Sequence, residues 1–175
     1  MLKYNKISFI KTLGILASTS ALLVGNASAA TFNQTGTISV LPAITVSQTA
    51  QLDFGSVAIP AAGTETVIVT IDNTTGSGTA TFLNSTVADG EFNITGSTTN
   101  TVNISATGTD ASGIVWSAIT GNYSGGAIAD LTATTATLAA PGVGSVLKVG
   151  ATITVASTMT AGTYSPAYAL DISYD

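Results

Sequence analysis

The sequence predicts an all-β protein, an antiparallel sandwich of short strands. Apolar residues recur at every second position in nearly every segment, which is the period of a strand with one buried face. Thr, Val, Ile and Ala dominate, while the helix formers Lys, Glu, Gln and Arg are scarce. Gly, Asn, Ser and Asp punctuate the chain at the short intervals that turns require. A hydrophobic content of 45% in regular alternation argues against a disordered Ser/Thr-rich stalk.

The elements follow in order. Thr31–Val40 alternates through Phe32, Gln34, Gly36, Ile38 and Val40. Pro42 interrupts it, because proline lacks the N–H that a ladder needs. Ile44–Val46 resumes the alternation and leads into Leu52–Gly55. Glu65–Asp72 reads as a strand with Val67, Val69 and Ile71 inward, and Asn73–Gly78 as a polar turn region. Ala80–Asn84 and Phe92–Thr95 read as short strands around a tight turn at Asp89–Gly90. Val102, Ile104 and Ala106 mark the next strand, and Ile114–Ile119 another that carries Trp116, the single tryptophan. Gly121–Asp130 reads as a loop, followed by strands over Leu131–Leu138 and Val146–Val155. Strands at this spacing predict an Ig-like, Greek-key sandwich.

The first residues are expected to lie outside the fold. Lys3, Lys6 and Lys11 precede the apolar stretch Thr12–Val24, and Ala27–Ala29 is a small-residue cleavage site, the pattern of an export signal. The expected organisation is a signal peptide over 1–29, an extension over 30–42 and one β domain over 43–175. No segment is long and apolar enough to predict a permanent membrane anchor. After the signal, Lys148 faces nine carboxylates without Arg or His, a net charge of −8. Such a surface cannot neutralise phosphates, so nucleic acid is excluded as a partner and anionic membranes are disfavoured. There is no Cys, so an exported domain of this size must stand on its core.

Without His and Cys, triad chemistry and the usual zinc and copper ligands are missing. Asp89 and Glu91 flank a glycine as solvated turn acids do, not as a hydrolytic carboxylate pair. Asp72–Gly78 is rich in oxygen but lacks the repeated acids of a calcium loop, and reads as a turn with an Asx cap. The sequence therefore predicts no enzyme, no metal site and no cofactor. Trp116 reads as core.

The most regular alternation is Tyr164, Pro166, Tyr168, Leu170, Ile172 and Tyr174, with Ser165, Ala167, Ala169, Asp171 and Ser173 between them. The three tyrosines share parity with Leu170 and Ile172, which puts them on the core face, not on a sugar-binding platform. Chain ends commonly fray, so an amphipathic strand here is expected to have a structural use.

With Tyr174 next to last and Gly162 fourteenth from the end, this strand resembles the C-terminal strand of chaperone–usher fimbrial subunits, the pilins. Leu52–Gly55 (Leu-Asp-Phe-Gly) and Ala161–Tyr164 (Ala-Gly-Thr-Tyr) look like a related family of secreted bacterial β domains of unassigned function. The pilin resemblance implies a sandwich lacking its final strand, with an apolar groove walled by Gly162, Tyr164, Tyr168, Leu170, Ile172 and Tyr174. A periplasmic chaperone would fill that groove at first, and after passage to an outer-membrane usher a neighbouring subunit would replace it. By position, Thr31–Val40 would be the donor strand, with Phe32, Ile38 and Val40 as knobs, Gly36 at the closest approach and Pro42 as hinge. Such a strand spans roughly 33 Å. The implied function is a fimbrial structural subunit at the cell surface, acting in adhesion or biofilm. The alternative is a self-complete secreted coat or matrix domain in which Thr31–Val40 closes its own sandwich, with a carbohydrate-binding module a further option.

Overall fold

The computed structural model describes residues 36–132 and 136–175. The signal-peptide reading of 1–29, and the first part of the expected donor strand with Phe32, lie outside the described residues. The chain divides into two units, residues 1–38 and 39–175. In the first, Gly36, Thr37 and Ile38 are exposed and carry no regular secondary structure. The second is all-β, with no helix among the described residues.

Its strands are β1 (Thr45–Ala50), β2 (Ser56–Val57), β3 (Thr64–Val69), β4 (Ser77–Gly78), β5 (Phe82–Asn84) and β6 (Gly90–Thr95). They continue as β7 (Val102–Gly108), β8 (Ile114–Tyr123), β9 (Ile128–Asp130), β10 (Ala136–Leu138), β11 (Ser145–Ala156) and β12 (Tyr168–Tyr174). β11 is the spine of a seven-stranded sheet. One of its edges pairs with β8 along Leu147–Val155, and the other with β6 and then β3, all antiparallel. β1, β4 and β9 extend that sheet from β6, β3 and β8. A three-stranded sheet, β10-β7-β12, packs over it, and β2 and β5 form a separate ribbon.

Period-two patterning explains the core. Leu147, Val149, Ala151, Ile153 and Val155 alternate along β11 and are all buried. The first three join Ile94, Ile104 and Ile119 beneath the small sheet, while Ile153 and Val155 join Val67 and Ile114 in a second cluster. Val67, Val69, Val102, Ile104 and Ala106 point inward as their parity requires. Trp116 is half-buried and packs against both clusters.

Four expectations are corrected. Asp89–Gly90 is not a tight turn: Gly90 is the first residue of β6. A Cβ there would lie 3.0 Å from the Tyr168 hydroxyl, so the glycine serves close approach and not chain reversal. Gly121 likewise stays in β8, because a Cβ would lie 2.6 Å from Leu131 Cδ1. The reversal falls at Ser124–Gly126, and β9 returns along β8, so Gly121–Asp130 is largely a hairpin. Leu131 does not begin a strand. Its N–H donates to Ile119 O at 2.9 Å and its carbonyl accepts from Ala106 N at 2.9 Å, which makes it the crossing point between the two sheets. Ile71 leaves β3, since Asn73 N–H bonds back to Thr70 O and Asp72 takes a left-handed φ of 60°.

The closest approach between strands is at Gly108, where an added Cβ would lie 2.1 Å from Trp116 Cγ. Gly108→Ala is expected to cost about 1–3 kcal/mol by overpacking. The measurement is the urea midpoint, which should fall at unchanged slope.

Candidate functional site

β12 bonds to β7 along one edge, and no strand among the described residues pairs with its other edge. β1 stands in the same position on the large sheet, paired with β6 alone. Both free edges lie on one side of the sandwich, because β12 runs over β6. Tyr168 sits above Gly90 and Tyr174 above Gly96, where added Cβ atoms would lie 3.0 and 2.7 Å from the respective hydroxyls. β1 runs antiparallel to β6, from Thr45 opposite Thr95 to Ala50 opposite Glu91. The segment 42–59 and the segment 162–174 are therefore opposed, antiparallel walls.

The inner faces of these walls are incompletely covered. Val46 lies directly opposite Ile94, and such partners share a face of the sheet. Ile94 is 0% exposed, yet Val46 keeps 46%. On β12, Tyr168, Leu170, Ile172 and Tyr174 turn toward the core but remain half-buried. Their partners on β7, from Ala106 to Val102, are buried. Burial thus fades toward this side of both sheets.

Beyond the start of β12 the opening widens into a cleft of about 630 Å³ lined by Phe54, Val57, Val67, Ile153, Met159 and Tyr164. Gly162 and Pro166 lie on its rim. Pairing begins just after Pro166, which has no N–H to give: the last bond of the ladder runs from Thr109 N to Ala167 O at 2.8 Å, and the strand expected from Tyr164 starts at Tyr168. Gly162, Tyr164, Tyr168, Leu170, Ile172 and Tyr174 are in this way brought into one line, cleft first and edge strand after. Gly36, Ile38 and Val40 are exposed and lie outside any strand.

The three tyrosine hydroxyls have different roles. Tyr174 Oη accepts from Ser97 N at 2.7 Å and donates to Pro42 O at 2.7 Å, which pins the start of the β1 wall to the end of the β12 wall. Tyr164 Oη donates to Thr160 O at 2.8 Å. The buried Tyr168 Oη and Trp116 Nε1 find no hydrogen-bond partner among the described residues. Their rings pack with centroids 5.5 Å apart, with Phe54 edge-on to Trp116 and Phe92 edge-on to Tyr168. Burial raises the Tyr168 phenol above its ordinary range.

A second, shallower cleft surrounds Lys148, which ion-pairs with Asp72. The hydrogen bond that Lys148 Nζ donates to Asp72, helped by the charges of Asp72, Asp89 and Glu91, holds the ammonium above its ordinary pKa. Asp89 and Glu91 are thus neighbours of the single cation of 30–175, and Asn73 makes the Asx turn expected in this loop, accepting from Thr75 N at 3.0 Å. Sequence reasoning missed this grouping, and it missed the bond from Tyr174 to Pro42. One signal was available: Gly90 and Gly96 have the same spacing as Tyr168 and Tyr174.

Fold and edges define a single antiparallel sandwich domain with two opposed free strands. The chain belongs to the family described as domain of unknown function DUF4402, which matches residues 44–174. No curated protein and no solved structure matches the chain.

Two substitutions test these roles. Tyr174→Phe removes both hydroxyl bonds and is expected to cost about 1–3 kcal/mol. It should also speed hydrogen exchange at the Ser97 amide. Tyr168→Phe removes a buried hydroxyl without a partner, so stability at neutral pH should hold or rise by about 1 kcal/mol. In the wild type the unfolded phenol ionises near pH 10 while the folded one, raised by burial, still holds its proton. Stability is therefore complete below about pH 10 and falls as pH rises through the folded value, a loss that Tyr168→Phe should lessen in alkaline denaturant titrations.

Proposed function

We propose that this protein is a structural subunit of a bacterial surface fimbria, exported through the periplasm and polymerised by strand insertion. The observation that carries the proposal is the pair of free edges, β1 and β12, on the same side of one sandwich, with Val46 of the first and Leu170 and Ile172 of the second incompletely covered on their inward faces. An inserted strand would bond to the outer edge of β12 and cover Val46, Leu170 and Ile172. Main-chain bonds would supply affinity and alternate side chains would supply register. Unfilled, such an edge is an aggregation hazard, which is the physical case for a periplasmic chaperone and an usher as partners.

Thr31–Val40 is the proposed donor, with Phe32, Ile38 and Val40 as knobs and Gly36 at the narrow point. At roughly 33 Å it is long enough to run past the whole of β12. The second reading, a self-complete coat or matrix domain, is favoured by the bond from Tyr174 to Pro42. That bond holds Pro42, through which the preceding segment joins the domain, at one end of the opening.

The test is Ile38→Asp with a synthetic Thr31–Val40 peptide. The substitution would place a carboxylate against the apolar walls at a cost of several kcal/mol. The expected outcome is a variant that folds but cannot join a polymer, and a wild-type peptide that enters the opening of the purified subunit. A wild type that remains a stable monomer with this segment protected from proteolysis, together with an Ile38→Asp variant that unfolds, would establish the self-complete domain instead.

A further inference from the structure

We propose that successive copies also meet end to end, Val143 and Leu41 of one copy packing on Leu83 and Ile59 of the next; this rests on the strand-insertion reading. Val143, at 95% exposed, and Leu83, at 73%, are the most exposed large aliphatic side chains of residues 43–175 among those described. They stand at opposite ends of the opening. Val143 tips the loop Pro141–Gly144, which is clamped by Gly96 N to Gly142 O and Gly142 N to Ser97 O, both 2.9 Å. Ser97 N in turn bonds Tyr174 Oη, so this tip belongs to the Tyr174 end, where Leu41 also lies, one residue before Pro42. Leu83 and Ile59 line the cleft at the Tyr164 end. The β2–β5 pairing and the bond from Ala58 N to Thr81 O hold them in one ribbon.

The direction of insertion decides which ends meet. A donor strand parallel to β12 would emerge at the Tyr174 end, where the acceptor's own chain enters at Pro42, and two chains would compete for one exit. A strand antiparallel to β12 emerges at the cleft end. That direction leaves the acceptor's own extension free for the next copy, the head-to-tail contact that builds an open filament. It also delivers Leu41 and the Val143 loop of the donor copy onto Ile59 and Leu83. The occupant of the cleft-end surface is thus a second copy of this chain. A valine held almost fully in solvent beside Gly142, which takes a left-handed φ of 60°, has no use inside its own domain.

The chain has no cysteine, so introduced pairs report cleanly. The full-length variant carrying both Leu83→Cys and Val143→Cys, oxidised after assembly, should give a ladder of disulfide-linked multimers. Each single variant should remain monomeric on a denaturing gel, and adding Ile38→Asp to the double variant should abolish the ladder. Binding of the Thr31–Val40 peptide to the same double variant is measured in parallel. Peptide binding without a ladder, or dimers from one single variant alone, overturns the end-to-end contact and leaves strand insertion standing. Absence of both peptide binding and assembly overturns the insertion reading and this contact with it.

Discussion

The seating of two tyrosines over two glycines sets the geometry on which the rest of this domain depends. Tyr168 over Gly90 and Tyr174 over Gly96 lock β12 of the small sheet above β6 of the large one, in the same direction and at matched spacing. A Cβ at either glycine would press on a phenol hydroxyl, which would have to shift. With β6 fixed under β12, the next strand of the large sheet, β1, becomes the partner across the opening. The bond from Tyr174 to Pro42 then fixes where the β1 wall begins. The position and polarity of the opening follow from this one contact pattern.

An opening of this kind is costly in water. Leu170, Ile172 and Val46 keep apolar surface in water that closure of the sandwich would remove. The outward positions of β12, Ala169, Asp171 and Ser173, are small or polar, and β1 is exposed along its length. The inner side of β12 is therefore apolar and its outer side hydrophilic, while β1 turns Val46 and Gln48 inward. Of the nine carboxylates of 30–175, Lys148 answers three at one spot, Asp72, Asp89 and Glu91.

Much of the fold was legible because one rule, period two, governs buried strands whatever their partners are. Val67, Val69, Val102, Ile104, Ile114 and the alternate residues of β11 could be placed on the core face from parity alone, and so could the tyrosines of β12. Glycine was where the rule failed. Gly90 and Gly121 read locally as turn residues, yet both sit within strands because a side chain from a distant segment stands on them, Tyr168 in one case and Leu131 in the other. Local sequence offers the same letter for a turn and for a close approach. The partner that distinguishes them lies 78 residues away in the first pair and 10 in the second.

By itself the sequence determined the all-β class, the residues that face inward, the absence of histidine and cysteine chemistry, and the amphipathic line from Tyr164 to Tyr174. These are properties of single strands, set by side-chain alternation and composition. The tertiary structure decided which strands are neighbours, and so which edges are left free. Pairing of β11 with β8, β6 and β3 consumes the central edges and leaves β1 and β12 facing one another, a result of long-range register that no local pattern encodes. It also decided that Pro42 ends beside Tyr174, because a backbone carbonyl becomes a tyrosine's partner only when folding brings the two together.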